Sequence, residues 1–351
     1  MSHVVDQQLA ELFAAAESRG SCLVVAGAYP DHLRRALSRR VASGGVASPA
    51  RGLFVRADLW DELKRDQRTL FVARGLQALH PDWVFCGPTA AVAYGVDVSW
   101  SLQGSIHVAT TRPGFRGGAG LVRRHAILPE DEGLADVRAA GGLRVTPPER
   151  TVFDCLRRTD FPLGLGIADS ALRRGVVTAS GLAAFVDSVP RDPRGCAQAL
   201  GTLAWADPRS ENGGESIARG RMLALGYARP ELQVEVPRPA DGGAPYRADF
   251  CWVRADGLVI LGELDGADKY VCEEMTRGRT LDEVLSDERA RGSRITLYDV
   301  SVLRFRFDLT DDPARFSALL DEYGVPRRGT ALAQPDGVRV LPDWSALRRN
   351  V

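Results

Sequence analysis

The sequence predicts a multidomain α/β (α+β) chain, and three observations carry that reading. The 351 residues are enough for two or three domains of roughly 100–200 residues each. Segments of helical periodicity alternate with short runs of period two, the pattern of mixed helix and sheet. A polar, turn-rich stretch, Asp207-Pro208-Arg209-Ser210-Glu211-Asn212-Gly213-Gly214, interrupts the alternation and reads as a boundary. The expected divisions are 1–64, 65–206, 207–325 and a Pro/Gly-punctuated tail over 326–351.

In the first segment Leu9, Leu12, Phe13 and Ala16 recur at helical spacing within 5–19. Asp31 is placed to cap a second helix running through Arg40. Leu33 and Leu37 lie on one face of it, and Arg34, Arg35, Arg39 and Arg40 on the other. Val46-Ala47-Ser48 and Leu53-Phe54-Val55 flank Pro49-Ala50-Arg51-Gly52 as a short hairpin. A basic helix followed by a hairpin bearing Arg51 and Arg56 is the order of a winged helix-turn-helix. Its helix enters the major groove and its wing meets the DNA backbone. A small basic helical cap that binds nothing has the same pattern.

The middle segment opens with a helix over 68–80 and a second at Pro88–Tyr94, ended by Gly95. Strands are expected at Ser105–Ala109, Leu121–His125 and Leu143–Val145. Thr146-Pro147-Pro148-Glu149 predicts a helix start with Thr146 as N-cap, Pro at the first helical position and Glu149 completing a capping box. Helices near 149–158, 164–174, 178–188 and 195–205 follow. Asp154 and Asp169 read as capping or buried hydrogen-bonded acids, and no catalytic constellation stands out here.

Beyond the boundary the pattern is a helix at 214–225, then strands at Glu231–Val236, Arg247–Val253 and Val259–Leu264. A helix is expected over 280–291, with strands at Ser293–Asp299 and Val302–Phe307, forming a mixed sheet flanked by helices.

Composition narrows the function classes. Hydrophobic residues make up 45% and charged residues 26%, an ordinary globular balance. Lys+Arg and Asp+Glu are equal at 45 each, so any basic surface must be local. No run approaches the length of a membrane span, and no basic and apolar leader opens the chain, so no membrane partner and a cytoplasmic location are expected. The six cysteines lack CxxC pairing and read as buried thiols. All five histidines lie at or before His125, so the second half cannot build a His-dependent nuclease, a Ser-His-Asp triad or a His-ligated zinc site from its own residues.

All but two of the 45 basic residues are arginines; the exceptions are Lys64 and Lys269. Lysine is a compact point charge that can give up a proton on burial, which arginine cannot do. Lys269 follows Gly262-Glu263-Leu264-Asp265-Gly266-Ala267-Asp268, a run of acids. Upstream, Asp249 lies in a strand that turns at Ala255-Asp256-Gly257. Asp249 and Glu263 fall seven residues either side of Asp256, hence across from each other. Glu263 and Asp265 share one strand face. Carboxylates on one patch repel unless a cation sits between them, and oxygen-rich sites suit Mg²⁺ or Mn²⁺. Glu215, opening the preceding helix, is a further acid. A solvated acidic edge that guards the sheet against aggregation is the alternative.

This string resembles the restriction-endonuclease-like (PD-(D/E)-x-K) core over about 207–310, and more narrowly the small domains related to very-short-patch-repair enzymes. The resemblance implies Asp249 and Glu263 as metal ligands, Glu215 and Asp265 as accompanying acids and Lys269 as the catalytic cation. It also takes in Gln233 on its strand and a later helix bearing Glu288, Arg289 and Arg291. Two departures stand out: Asp265 occupies the usual lysine position, and the repair enzymes' histidine is missing. Farther upstream three strings occur in order: Val46…Arg51-Gly52-Leu53-Phe54-Val55, Gly87-Pro88-Thr89-Ala90-Ala91-Val92-Ala93-Tyr94-Gly95 and Thr146-Pro147-Pro148-Glu149-Arg150-Thr151-Val152-Phe153-Asp154. Together they resemble the AbiEi-like antitoxins of type IV abortive-infection toxin–antitoxin systems. That resemblance implies DNA binding through Arg34, Arg35, Arg39, Arg40, Arg51 and Arg56, with a cognate toxin as a possible partner. The expected function is a DNA-binding protein with a metal-dependent nuclease-like domain. The alternative is a non-catalytic regulator in which that domain is an interaction module.

Overall fold

The structure, a computed structural model, describes residues 2–27, 29–110, 120–126, 137–138, 142–188, 195–237, 245–265, 295–328 and 340–349. It is mixed α/β and forms two compact units. One comprises 1–158 with 174–196, the other 159–173 with 197–351. Lys269, the helix expected over 280–291 and its Glu288, Arg289 and Arg291 lie outside the described residues.

The first unit begins with helix α1 (Ser2–Glu17), strand β1 (Leu23–Val24), helix α2 (Asp31–Ala42) and the hairpin β2 (Val46–Ala50) and β3 (Leu53–Arg56). The strands form an antiparallel sheet in the order β1-β3-β2. Leu9 and Phe13 of α1 meet Leu33, Ala36 and Leu37 of α2 in a small core, as the helical spacing predicts. Asp31 does not cap α2. Pro30 holds the N-cap position, and Asp31, already the first helical residue, is one place too far along to accept from the helix start.

Helices α3 (Ala57–Glu62) and α4 (Arg65–Leu79) lead to a five-stranded mixed sheet. Its strands are β4 (Val84–Phe85), β5 (Ile106–Thr110), β6 (Val122–Ala126), β7 (Val137–Arg138) and β8 (Arg144–Val145), in the order β6-β5-β4-β8-β7. Helices α5 (Gly87–Ala93), α6 (Pro148–Leu156) and α8 (Ala179–Ser188) belong to this unit, while α7 (Phe161–Arg173) and α9 (Cys196–Ala204) fall to the second except for Cys196.

The α6 start is one residue later than the sequence suggests. A residue preceding proline avoids the helical region, so Pro147 stays extended at the N-cap and Pro148 becomes the first helical residue. Thr146 therefore makes no cap, and its hydroxyl meets that of Thr151 at 2.7 Å.

In the second unit helix α10 (Gly213–Ala224) packs on α7, and strands β9 (Glu231–Val236), β10 (Tyr246–Val253), β11 (Val259–Asp265) and β12 (Val300–Arg306) form a sheet ordered β12-β11-β10-β9. β12 runs parallel to β11 and the other pairs are antiparallel. Gly220 allows α10 to approach α7: a Cβ there would stand 2.7 Å from Pro162 Cα. Residues 295–299 do not form the expected strand. Ile295 and Tyr298, three apart, both enter the core, a helical spacing, and Tyr298 N–H closes a turn on Ile295 O at 3.0 Å. Helices α11 (Pro313–Glu322) and α12 (Trp344–Leu347) complete the unit. Just after Val325, Arg327 bonds Asp321 and Tyr227, and Arg328 N–H meets Gly226 O at 2.7 Å. No described helix is long and apolar enough to cross a membrane.

Candidate functional site

The β10–β11 turn sets the site. Gly257, with φ +87°, closes a three-residue loop in which Gly257 N–H meets Arg254 O at 3.0 Å. Asp256 is the centre of the register, and Phe250 pairs with Gly262. The same register sets Asp249 opposite Glu263, as its sequence position requires. Pairing between the strands stops at Phe250–Gly262, while β11 stays paired with β12 as far as Asp265–Arg306. The two strands therefore part at the carboxylates. Asp249 bridges the fork, its Oδ2 accepting Leu264 N–H at 2.8 Å.

A second irregularity lies directly across from Asp249. Gln233, within β9, has φ +54°, the left-handed region that a side chain enters at a penalty of roughly 1–2 kcal/mol. Leu232 and Phe250 pack on the face of the sheet covered by α10, with Ala218 and Met222. Val234 and Ala248 pack on the opposite face, with Val259 and Leu261. Residues two apart in a strand normally share a face. Here β9 and β10 both switch faces, at Gln233 and Asp249, and the strained backbone lies at the β9 switch.

Glu263 is buried, 6% exposed, on the face continuing Val259 and Leu261. Its Oε1 accepts from the Tyr246 hydroxyl, and Oε2 pairs with Nε of Arg304, its register partner on β12, at 3.1 Å. Glu215, also buried, is held at the start of α10. Asn212 caps the helix by accepting Glu215 N–H at 3.0 Å and donates its own amide to Glu215 Oε1 at 2.7 Å. Glu215 Oε2 accepts Glu211 N–H at 2.8 Å and Gln233 Nε2 at 3.0 Å. Gln233 thus ties the helix acid to the strand position facing Asp249. Its backbone conformation has no sequence signal, because only the folded sheet forces it. Asp265 is half-buried opposite Arg306.

As carboxylates, Asp249 and Glu263 suit a hard divalent cation in ligand type. A cation at Glu263 would share that carboxylate with Tyr246 and Arg304. Among the described residues no group of three or more His, Cys, Asp or Glu side chains is placed to hold an ion.

The basic residues of the first unit divide by partner. Arg35 and Arg39 point outward on α2, and Arg51 is exposed at the hairpin tip. Arg34 donates to Gly27 O, Arg40 pairs with Asp6, and Arg56 forms a two-pronged pair with Glu17 at 2.8 and 3.0 Å. A groove of about 1450 Å³ lined by His32, Arg35 and Arg39 runs beside α2.

The middle sheet holds a histidine pair that sequence reading passed over, since its members are 18 residues apart and share a face only through strand pairing. His125 Nε2 and His107 Nδ1 are 2.8 Å apart, and Arg158 Nη1 lies 3.0 Å from His125 Nδ1. Arginine can only donate, so His125 Nδ1 accepts and its Nε2 carries the proton given to His107. Burial, then neighbouring positive groups, push both rings down to about 4. Asp154 lies buried between Arg150 (2.8 Å) and Arg157 (3.0 Å) and serves structure, as its sequence position suggests.

No protein-family model matches the chain. Two proteins of Mycobacterium tuberculosis are similar to it: uncharacterized protein MT2308 of strain CDC 1551 / Oshkosh and uncharacterized protein Rv2248 of strain ATCC 25618 / H37Rv. Each is 31% identical over 169 residues, which cover 48% of this chain and 58% of the relative. The chain thus spans less than two thirds of those relatives' length, and neither name states an activity.

Proposed function

We propose that this chain is a DNA-binding protein, akin to AbiEi-like antitoxins, whose C-terminal sheet carries a metal-dependent nuclease site of the restriction-endonuclease-like kind. The observation that carries the reading is the end of the β10–β11 pairing, where Asp249 reaches across to the Leu264 N–H beside Glu263, with the strained Gln233 on the neighbouring β9. Strain held at one polar position is a common mark of a functional site.

In this reading Asp249 and Glu263 hold Mg²⁺ or Mn²⁺, which supplies charge neutralisation at a phosphodiester. The Leu264 N–H bond orients Asp249, and Gln233 orients Glu215 toward the fork. Lys269 is the nearest lysine in sequence and supplies the cation that stabilises developing charge. Arg35, Arg39 and Arg51 bring the DNA by phosphate contacts, α2 acting as recognition helix and β2–β3 as wing. A cognate toxin is the protein partner the antitoxin resemblance implies.

A second reading rests on Glu263, whose two oxygens already hold Tyr246 and Arg304. If those contacts persist, the domain is a non-catalytic interaction module. Supercoiled-plasmid nicking in Mg²⁺, joined to Mn²⁺ binding by calorimetry, decides between them. The nuclease reading expects nicking and binding that Asp249→Ala abolishes and Lys269→Arg reduces. Folded protein that retains DNA but neither binds Mn²⁺ nor nicks refutes it and leaves the regulator.

A further inference from the structure

A cleft of about 500 Å³ in the first unit lies between α1, β1 and α4, within the size range of small-molecule sites. One part of its wall is aliphatic, with Leu12, Leu23, Val24 and Leu143. Among the described residues, the charged ones lining it are Arg19 and Arg74, with no aspartate or glutamate.

Most polar groups around the cleft are already engaged. Gln77 donates to the carbonyls of His80, Pro81 and Trp83 and accepts Arg144 N–H, and the Ser21 hydroxyl donates to Cys22 O. The Cys22 thiol, pushed up to about 12 by burial, stays protonated. Two lining residues keep an unanswered polar atom: among the described residues, buried Tyr29 Oη and Arg74 Nε have no hydrogen-bond partner. Natural structures rarely leave such groups orphaned without an ion, water or ligand to meet them. Burial raises the Tyr29 phenol above its ordinary range, so it remains a donor. Arg74 Nε is a donor by nature.

The guanidinium is anchored at its other end. Arg74 Nη1 donates to Gly20 O at 2.8 Å, and a Cβ on Gly20 (φ +60°) would stand 2.4 Å from that nitrogen. Glycine at position 20 therefore clears the space that the guanidinium occupies.

We propose that this cleft is a binding site for a small organic carboxylate, its apolar body against the leucine wall and its anionic end toward Arg74 and Tyr29. Two donors, a surplus of positive charge and an aliphatic wall select an anion with an apolar body over a sugar or a cation. The site stands independently of the nuclease and DNA-binding readings.

The test titrates benzoate, with benzamide as its neutral analogue, into the full-length protein while following leucine and valine methyl resonances. Benzoate should shift Leu12 and Leu143 methyls saturably at millimolar concentration, with benzamide about tenfold weaker. Tyr29→Phe, which removes only the orphan hydroxyl, should weaken benzoate several-fold, and Arg74→Met should abolish the benzoate preference. Equal affinity for benzoate and benzamide, unchanged binding in Tyr29→Phe, or no saturable shift up to about 50 mM benzoate overturns the proposal.

Discussion

Asp169→Ala is expected to destabilise the second unit severely, and the structure sets the size of the effect. Asp169 on α7 and Arg219 on α10 are both 0% exposed and meet at 2.7 Å. The other Asp169 oxygen accepts Asp207 N–H at 2.7 Å, while Arg219 Nη1 donates to Trp205 O at 2.9 Å. The pair thus clamps two helices and the segment that leads to the Asn212 cap and Glu215. Truncation leaves a buried guanidinium with a single carbonyl. Breaking one side of such a pair costs about 3–5 kcal/mol, and the orphaned Asp207 N–H adds a penalty within the same range rather than on top of it. At roughly 2–4 °C per kcal/mol, the melting transition of this unit should fall by about 6–20 °C. Calorimetry of the full chain reads that shift. The double variant Asp169→Leu/Arg219→Met, with no charge left to bury, should recover most of the loss. A single variant that loses less than about 1 kcal/mol, or a double variant worse than the single, refutes the assignment of the pair as a clamp.

Gln233→Ala keeps the left-handed strain and loses the Glu215 bond, so it should be about 1 kcal/mol less stable than Gln233→Gly, which relieves the strain; equal stabilities by urea unfolding would deny that φ +54° is strained. The histidine pair makes stability pH-dependent. The unfolded rings take protons near 6.5 and the folded ones near 4, so stability present above pH 6.5 is lost progressively as pH falls toward 4, a slope that His107→Gln with His125→Gln should flatten in acid-unfolding curves. Nitrogen-detected spectra should find His125 as the Nε2–H tautomer, and an Nδ1–H assignment contradicts the Arg158 bond. For DNA, Arg35→Ala and Arg39→Ala should each weaken binding and lower the salt slope by about 1, measured by fluorescence anisotropy. Arg56→Ala should change the slope less, because Glu17 already neutralises it.

The elements of α1, α2 and the β2–β3 hairpin were legible because local signals agree: Leu9 and Phe13 repeat at helical spacing, and Gly52 permits the φ of +80° at the turn. Helix starts were less legible. Thr146 and Asp31 are good caps by type, yet a second proline moved one helix start and a preceding proline the other, a one-residue shift that cap preferences do not resolve. The strand expected over 293–299 is absent at its described residues because Ile295 and Tyr298, three apart, enter the core at helical spacing and close a turn.

Sequence alone determined a tight hairpin centred on Asp256, with Asp249 and Glu263 seven residues out on either strand, since that turn leaves no other register with the apolar residues inside. It determined the basic face of α2 for the same reason, a fixed helical period. Only the tertiary structure decided that β10 and β11 part at those carboxylates, that Gln233 is strained across from Asp249, and that Glu263 is taken up by Tyr246 and Arg304. It alone joined His107 to His125 and Asp169 to Arg219. The physical reason is range. Turns and periods are set by neighbours along the chain, whereas a buried partner is chosen by whatever packing brings within about 3 Å, across any length of sequence.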